Sequence, residues 1–389
     1  MLVANGLGRV GHSLGEDESG PGALGVVFSH EGIGHPGDAR AGAGEQRAVS
    51  DVRSERHYSI ISWMATSPLI QASAIDVTYW ELDEENARFP QGARTKDARY
   101  APDLVTDSVI TPGKRYLFKQ SKSAGTEELR QKGMFAEQFW GEIIAYRVGC
   151  LLGLTVPPAF AAYDSARECS GALIEWFYED GKEAFVLAGD WLAALRPGFE
   201  RKHGNDHNLQ DNVRLLRVLA KKGFLKEDWK QWWIDALLFD TLIGNVDRHQ
   251  DNWGFLTTLP EPSRSYRFCP LFDNGTSLGY ELLPEKFTRW NQMRLDQYIA
   301  KGVHHLRRFP NPSIPRTPHI DLLAMTLAEW PETKQNCYAR IANLQPENFQ
   351  AVLADLSHLG LPVPLSSERL DFVLRLLERR LQKLKALFS

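Results

Sequence analysis

The chain has 389 residues, 43% of them hydrophobic and 11% aromatic, with a formal net charge of −4 at pH 7. This length and apolar content suffice for one bilobal enzyme or two domains with a substantial core. The slightly acidic balance excludes a global attraction to nucleic acid or to an anionic membrane, and no apolar run is long enough for a membrane span. The four cysteines lie far apart without a Cys-x-x-Cys pair, which is typical of reduced thiols in a cytoplasmic protein. We therefore expect a cytoplasmic globular protein with no direct nucleic-acid partner and no membrane partner.

Residues 1–63 differ in composition from the rest of the chain. Twelve of the 31 glycines fall before residue 45, and such a segment buries too little apolar surface to offset its ordering entropy. The composition predicts a disordered tail, or a start site assigned too early, since Met64 opens a more ordinary sequence. A functional tail is the alternative.

Residues 64–178 carry short apolar or alternating runs bounded by Gly, Pro and Asp, which predict strands at 75–82, 115–119, 159–163 and 172–177. Between them, residues 135–152 place apolar side chains three and four positions apart, the spacing of a helix. Gly153 and Pro157 would end that helix. Several strands around one helix predict a small β-rich N-lobe over 64–178.

Residues 179–389 are dominated by helical spacing, at 211–220, 227–243, 320–328, 346–359 and 367–388. The last of these is amphipathic and basic, which favours packing on the core with a solvated outer face. These segments predict a large, mainly helical C-lobe, and the whole chain is predicted to have a bilobal α+β fold.

Four polar residues follow two predicted elements: the helix 227–243, which gives way to a loop, and a hairpin strand at 266–272. They are Asp247, His249 and Asn252, then Asp273. Phosphoryl transfer needs one carboxylate to orient the attacking hydroxyl, and an amide and a carboxylate to hold Mg²⁺. The pattern predicts that Asp247 is the base, that Asn252 and Asp273 are metal ligands, and that His249 holds the loop by hydrogen bonding. Each residue alone is equally typical of a cap or turn.

A lysine, Lys119, closes the apolar strand at 115–119, where burial is costly without an anionic partner. In kinases this lysine meets the nucleotide phosphates and a helix glutamate. Glu142, inside an otherwise apolar helix, is the expected partner, and Glu137 is the alternative. An exposed lysine and an exposed glutamate explain each position equally well when it is judged alone.

A glycine-containing basic segment precedes the lysine strand, and it lacks the Walker pattern Gly-x-x-x-x-Gly-Lys-Ser/Thr. Its backbone N–H groups, hydroxyl and charges are suited to wrapping phosphates, although a basic surface turn explains it equally well. The predicted nucleotide contacts are Gly92, Ala93, Arg94, Thr95 and Lys96.

These motifs, in this order, resemble the HipA-like serine/threonine kinases of bacteria, from about residue 89 to residue 279. The most specific part is 242–255, with Gly-Asn-x-Asp-x-His-x-x-Asn. The resemblance implies a protein-kinase-like bilobal fold, use of ATP and Mg²⁺, and a protein Ser/Thr substrate. It assigns the base to Asp247, metal binding to Asn252 and Asp273, and nucleotide contact to Lys119. A hinge that meets adenine is implied at Glu175, Trp176 and Phe177.

Two departures from the family pattern limit what the resemblance implies. HipA toxins carry an N-terminal subdomain that contacts a DNA-binding antitoxin, and residues 1–74 do not resemble it. The basic segment also lacks the serine that such kinases autophosphorylate, and Thr95 is the hydroxyl inside it. We expect a compact form of the family, for which an antitoxin partner is implied by resemblance alone.

Two other functions remain open at this point. A small-molecule phosphotransferase would use the same metal ligands on a related fold. A nucleotide-binding regulator without catalysis would keep the fold but lose part of the site, and the presence of Asp247, Asn252 and Asp273 argues against it.

Overall fold

The computed structural model describes residues 66–84, 94–123, 125–259 and 265–389. The predicted disordered tail at 1–63 lies outside these ranges. Within them the chain forms two β-sheets and a large set of α-helices, so the α+β class predicted from the sequence is confirmed.

The larger sheet has six strands in the order β1-β5-β6-β4-β3-β2. Only β1 and β5 run parallel, and every other neighbouring pair is antiparallel. These strands are β1 (Ile75–Asp76), β2 (Glu81–Leu82), β3 (Lys96–Tyr100), β4 (Arg115–Gln120), β5 (Ala159–Asp164) and β6 (Cys169–Glu175).

The predicted continuous strand at 75–82 is wrong. It breaks into two pieces because Asp76 Oδ1 accepts the backbone N–H of Thr78 at 2.9 Å, which forms a local turn. The other three predicted strands are present as β4, β5 and β6. The sequence did not predict β3, which places Lys96 directly opposite Lys119 of β4.

The helices follow mainly after the larger sheet. They are α1 (Glu127–Gln131), α2 (Trp140–Leu151), α3 (Ala188–Leu195), α4 (Leu209–Lys221), α5 (Trp229–Ile243), α6 (Pro284–Phe287), α7 (Gln292–Lys301), α8 (His319–Glu329), α9 (Lys334–Ala342), α10 (Pro346–Leu353) and α11 (Ser367–Lys385).

Helix α2 links the larger sheet to the helical part of the chain. It contacts β5 and β6 on one side and α5 and α10 on another, and residues 140–150 are all buried. It begins later than the predicted helix 135–152, because Phe135 has φ = 65° and cannot lie in a right-handed helix. Glu142, in its first turn, is therefore held inside the protein.

Helix α5 is the central helix of the C-terminal part. The side chain of Asp228 caps its start by accepting the N–H groups of Lys230 and Gln231. Its residues are buried almost all round, with Trp233 and Phe239 fully enclosed. Gly244 ends it in the left-handed conformation with φ = 67°, which favours glycine. The predicted loop begins at this point.

The smaller sheet is antiparallel, with β8 between its two neighbours. Its strands are β7 (Glu183–Leu187), β8 (Gly254–Thr258) and β9 (Tyr266–Phe268). The predicted hairpin strand at 266–272 ends early at Phe268, since Pro270 has no N–H to continue the ladder. Residues 271–275 are therefore free to form an irregular segment beside the loop that follows α5.

Most of the predicted C-terminal helices are present with shifted ends. The predicted helix 346–359 is shorter, because α10 ends at Leu353 and a separate 3₁₀ turn follows at Leu356–His358. The boundary that we predict at residue 178 between the two lobes stays a prediction. None of the described helices has the length and apolar character needed to cross a membrane.

Candidate active site

The site is built around Lys119, on the buried strand β4. Its Nζ lies 2.8 Å from Glu142 Oε1 and 2.8 Å from Asp273 Oδ1. Lys119 and Glu142 are 3% and 4% exposed, so neither is a surface charge. Burial of a lysine at this strand position is tolerated because two carboxylates compensate it. All three residues are candidates from the sequence, and in the structure Lys119 contacts both carboxylates.

Arg94 joins the same cluster from the segment that leads into β3. Its Nη2 donates to Glu142 Oε1 at 2.9 Å and to Asp273 Oδ1 at 2.7 Å. Lys96 stands opposite Lys119 across β3 and β4, and like charges directly opposite one another are unfavourable. Burial and the neighbouring Lys119 lower the pKa of Lys96. Three cations thus surround two carboxylates, which makes the site attractive to an additional anion.

The segment that carries Asp273 is a tight turn. Asp273 has φ = 55°, in the left-handed region, and its neighbour Asn274 donates from Nδ2 to the carbonyl of Leu271 at 2.8 Å. The backbone N–H of Asn274 donates to Glu142 Oε2 at 2.8 Å, so Glu142 binds the turn and the lysine together. A Cβ on Gly275 would lie 2.1 Å from Arg94 Nη1, so glycine leaves the space that the guanidinium occupies.

The catalytic-loop candidates lie directly after α5. Asn252 donates from Nδ2 to the carbonyl of Asp247 at 2.7 Å, which closes the loop and fixes the orientation of its amide. The N–H of Asp247 donates to Asn245 Oδ1 at 3.1 Å. His249 accepts the N–H of Asp251 on Nδ1 at 3.1 Å, which is the loop-holding contact expected of it. The loop is held by its own amide and imidazole groups.

A buried arginine, Arg248, connects this loop to the Asp273 turn. It is fully buried and donates to Asp240 through Nε at 3.0 Å and Nη2 at 2.8 Å. Its Nη2 also donates to Asn274 Oδ1 at 2.7 Å, and its Nη1 donates to the carbonyl of Phe272. Arg248 therefore fixes the two halves of the site relative to each other.

Arg248 and Asp240 were not predicted from the sequence as residues of the site. The signal for Asp240 was present, because it is an acid within the apolar helix α5, as Glu142 is within α2. Both carboxylates are buried and both bind a cation. An acid within an otherwise apolar helix therefore indicates a buried ion pair in α5 as it does in α2.

The three carboxylates of the site differ in the direction in which their pKa values are shifted. Burial alone would raise the pKa of Asp273 and of Glu142, but Lys119 and Arg94 hold the pKa of Asp273 well below its ordinary value and lower that of Glu142. For Asp247, burial raises the pKa, and the nearby charge of Asp273 raises it further against the effect of His249. Two carboxylates are thus held ionised, whereas Asp247 is biased toward binding a proton.

The predicted hinge lies at the end of β6. The N–H groups of Glu175 and Trp176 donate within the sheet, to the carbonyls of Pro158 at 2.8 Å and Arg115 at 3.1 Å. The Glu175 carboxylate pairs with Lys114, and the Trp176 ring lies under the guanidinium of Arg115 at 3.9 Å.

The next hinge residue, Phe177, packs against Phe185 and Phe272, with ring centroids 5.2 and 5.4 Å away. Among the described residues its N–H has no acceptor. Of the three predicted hinge residues, Phe177 is thus the one whose backbone donor remains available.

Part of the predicted phosphate loop lies outside the described residues. Gly92 and Ala93 are not among the described residues, so their predicted contacts stay predictions. The carbonyl of Thr95 accepts the N–H of Gln120 at 3.0 Å, a contact that ties this segment to β4. Glu137, the alternative partner of Lys119, instead binds Arg369 and Ser366 of the C-terminal region. Glu142 is the partner in the structure.

A two-lobed α+β fold, with a strand lysine paired to a helix glutamate, is that of the protein-kinase-like class. No model of a protein family matches the chain. A 78-residue stretch, 20% of the chain, is 38% identical to the serine/threonine-protein kinase CtkA of Helicobacter pylori and covers 22% of it. The chain thus aligns with about a fifth of the length of this curated relative.

Solved structures give the same relationship at the level of the fold. The crystal structure of a Helicobacter pylori proinflammatory kinase, CtkA, matches with a TM-score of 0.61 at 20% identity, over 81% of this chain and 96% of that one. HipA of Shewanella oneidensis MR-1, solved with HipB and operator DNA, matches with a TM-score of 0.43 at 15% identity, over 78% and 66%. The recognition of this chain as similar to the HipA-like kinases, of which CtkA is one, is confirmed by CtkA in sequence and in fold.

Proposed function

We propose that this chain is an ATP- and Mg²⁺-dependent kinase that transfers the γ-phosphoryl group to a serine or threonine hydroxyl of a protein. The observation that carries the proposal is the contact of Lys119 Nζ with both Glu142 and Asp273, at 2.8 Å each. This arrangement joins the predicted nucleotide lysine, its helix glutamate and a predicted metal ligand. A lysine that only stabilised the fold would need one such partner.

The residues present fit a Mg²⁺ ion. The Asn252 amide nitrogen is occupied by the Asp247 carbonyl, so its oxygen is directed away from that bond. Asp273 is 26% exposed and uses Oδ1 for both of its ion pairs, and Oδ2 has no partner among the described residues. An amide oxygen and a carboxylate oxygen are ligands that Mg²⁺ prefers. When bound, the ion would neutralise charge on the phosphates.

The nucleotide would lie between the hinge and this cation cluster. The Phe177 N–H is suited to an adenine acceptor, and the aromatic side chains around it exclude water. Arg94 Nη1 is buried and has no hydrogen-bond partner among the described residues. A buried, unpaired guanidinium nitrogen is costly, and a phosphate oxygen would satisfy it. Lys119 and Lys96 would hold the remaining phosphate charge.

Asp247 would orient the substrate hydroxyl and accept its proton. Its raised pKa makes it a better proton acceptor than an ordinary aspartate, provided that it is ionised before the substrate binds. Asn252 and His249 hold the backbone around it, so its carboxylate is placed by the loop. The aligned relative is named a serine/threonine-protein kinase, which supports a hydroxyl acceptor on protein.

The test is incubation of the purified chain with γ-labelled ATP and Mg²⁺, with and without cell lysate. We expect label on this chain or on a lysate protein, and a decrease of about 10²–10⁴-fold for Asp247→Asn, the range for loss of a general base. Asp371→Asn is the matched control, because Asp371 is 70% exposed on α11. Removal of Mg²⁺ by a chelator is expected to abolish transfer.

Two results would replace the proposal. Consumption of ATP that depends on Asp247 and on added small molecules, without labelled protein, would identify a small-molecule phosphotransferase. Nucleotide binding without any turnover would identify a regulator. An antitoxin partner stays a prediction from the resemblance, and co-purification from the native host would test it.

A further inference from the structure

The segment between α7 and α8, residues 302–318, contains three arginines and no acidic residue. In the described part of the chain none of the three forms an ion pair with a carboxylate. Arg307 donates to the carbonyls of Asn205 at 3.2 Å and Ile314 at 2.6 Å. Arg308 lies over the ring of Phe309 at 5.3 Å. The guanidinium groups of Arg307 and Arg308 are thus hydrogen-bonded or stacked, but no carboxylate among the described residues neutralises their charge.

Arg316, the third arginine, is anchored beside the catalytic loop. Its Nη2 lies 3.1 Å from His305 Nε2, and the His305 ring lies 5.7 Å from that of His249. Burial lowers the pKa of His305 to about 2, so the imidazole is neutral and accepts the arginine N–H. The Nε of Arg316 is buried, and no residue in the described ranges forms a hydrogen bond with it. Burial and the charge of Arg307 lower the pKa of Arg316, and the charge of Asp247 opposes them.

A pocket of about 210 Å³ opens on the same segment. Three of its apolar side chains, Phe309, Ile314 and Met325, are each 41–45% exposed. Arg307 and Arg308 line the same pocket. We call this surface the arginine pocket: it comprises Arg307, Arg308, Phe309, Ile314, Thr317 and Met325, together with Arg316, which precedes Thr317 in the chain and contacts His305.

We infer that the arginine pocket binds the protein substrate beside the acceptor hydroxyl, and that it selects an acidic side chain next to an apolar one. This inference rests on the proposed kinase function. Charge complementarity carries it, because unneutralised guanidinium groups favour carboxylate partners and can bind them through two parallel hydrogen bonds. The exposed apolar side chains would cover the neighbouring apolar residue.

The position of Arg316 gives the reason to assign the pocket to the substrate. It contacts His305, which packs on the imidazole of the catalytic loop. A substrate carboxylate bound at Arg316 would therefore lie on the Asp247 side of the pocket. The acceptor hydroxyl, on the same segment of the substrate, would be brought toward Asp247 with it. An acidic substrate would otherwise be repelled by Asp247 and Asp273, and the arginines offset that repulsion.

Two fluorescent serine peptides of equal length test the inference, one with glutamates and leucine around the serine and one with lysines and leucine. Binding is measured by anisotropy, and transfer by kcat/KM. We expect the acidic peptide to bind at least about tenfold more tightly, and Arg308→Glu and Arg316→Glu each to remove most of that preference. Arg217→Glu, an exposed arginine on α4, is the control with the same change of charge.

The outcomes separate the inference from the proposed function. Equal binding of both peptides, or an equal loss in Arg217→Glu, would overturn the arginine pocket even if both peptides are phosphorylated. Acidic peptide that binds at the arginines but receives no phosphoryl group would overturn the substrate assignment together with the proposed function. Improved binding of the lysine peptide to Arg308→Glu would support direct contact.

Discussion

Asp247 is the residue whose protonation sets the acid limit of the proposed reaction. Burial and the charge of Asp273 raise its pKa above the ordinary aspartate value of 3.8. Only the ionised form accepts a proton, so activity is present above this raised pKa and is lost as the pH falls through it. We expect the acid limb of kcat against pH to lie above that of an unperturbed aspartate. A kcat that stays constant down to about pH 4 would contradict this assignment.

Gly275 is a second residue with a specific consequence. An alanine there would place its Cβ 2.1 Å from Arg94 Nη1 and 2.8 Å from Glu142 Oε1. Arg94 is the flexible partner, so we expect Gly275→Ala to displace its guanidinium and to raise the KM for ATP by about tenfold, with the chain still folded. Gly125→Ala is the control, since its Cβ would meet open space. Equal KM values for the two variants would remove Arg94 from the nucleotide site.

At the scale of elements, helix α5, the catalytic loop and the Asp273 turn act as one unit because Arg248 bonds to all three. Arg248→Met keeps much of the volume but leaves the fully buried Asp240 without its arginine partner. Breaking a buried ion pair typically costs about 3–5 kcal/mol. We expect a decrease of this size in the free energy of unfolding, measured by urea denaturation, together with loss of transfer.

The control for this variant is Arg214→Met, on α4, where the side chain is 72% exposed beside Asp211. Its effect on the free energy of unfolding should stay within about 1 kcal/mol, as for other surface ion pairs. If Arg248→Met unfolded at the same urea concentration as the wild type, the structural role of the arginine would be wrong.

The sequence predicted elements whose signals are local. Helix α5 has an N-cap aspartate and a terminal glycine, and the motif that follows lies in a loop for that reason. The start of α2 was placed too early, because the left-handed conformation of Phe135 depends on tertiary contacts and leaves no mark in apolar spacing. Strand β3 was missed because its five residues alternate only weakly between apolar and charged.

The candidate site could be predicted only in part, because only some of its residues carry a local signal. Lys119, Glu142 and Asp273 could be chosen because each is an unexpected charge or follows a motif. The bond between Arg94 and Asp273 joins residues 179 positions apart, and no local pattern indicates it. The same holds for the arginine pocket, which is assembled from a loop whose prolines predict only irregular backbone.

At the scale of the whole molecule, α11 fixes the position of several segments around the site. Arg369 donates to Glu137 at 3.1 Å and to the carbonyls of Gly279 at 2.9 Å and Leu282 at 2.7 Å. Arg380 donates to the carbonyl of Ile243, the last residue of α5, at 2.9 Å. The C-terminal helix therefore contacts the chain before α2, after the Asp273 turn and at the start of the catalytic loop.

Because of these contacts, we expect Arg369→Met to lower both the melting temperature and the activity. Loss of the buried guanidinium would leave two carbonyl groups and Glu137 Oε2 without their donor, at a cost of about 3 kcal/mol, whereas Glu137 Oε1 would keep its bonds to Ser366. Arg375→Met on the same helix is the control, since that arginine reaches Trp290 rather than the site. Equal melting temperatures of the two variants, measured by calorimetry, would contradict this role for α11.

The position of α11 in the sequence also affects the order in which the site is completed during translation. A domain generally folds as a unit as the chain emerges from the ribosome, so it needs all of its segments. Every residue proposed for phosphoryl transfer is synthesised before Ser367, but the helix that holds their segments together follows them. We therefore expect a ribosome-bound chain that stops short of α11 to contain the complete set of reactive groups and to remain inactive. Activity would then appear in a single step once α11 has been synthesised.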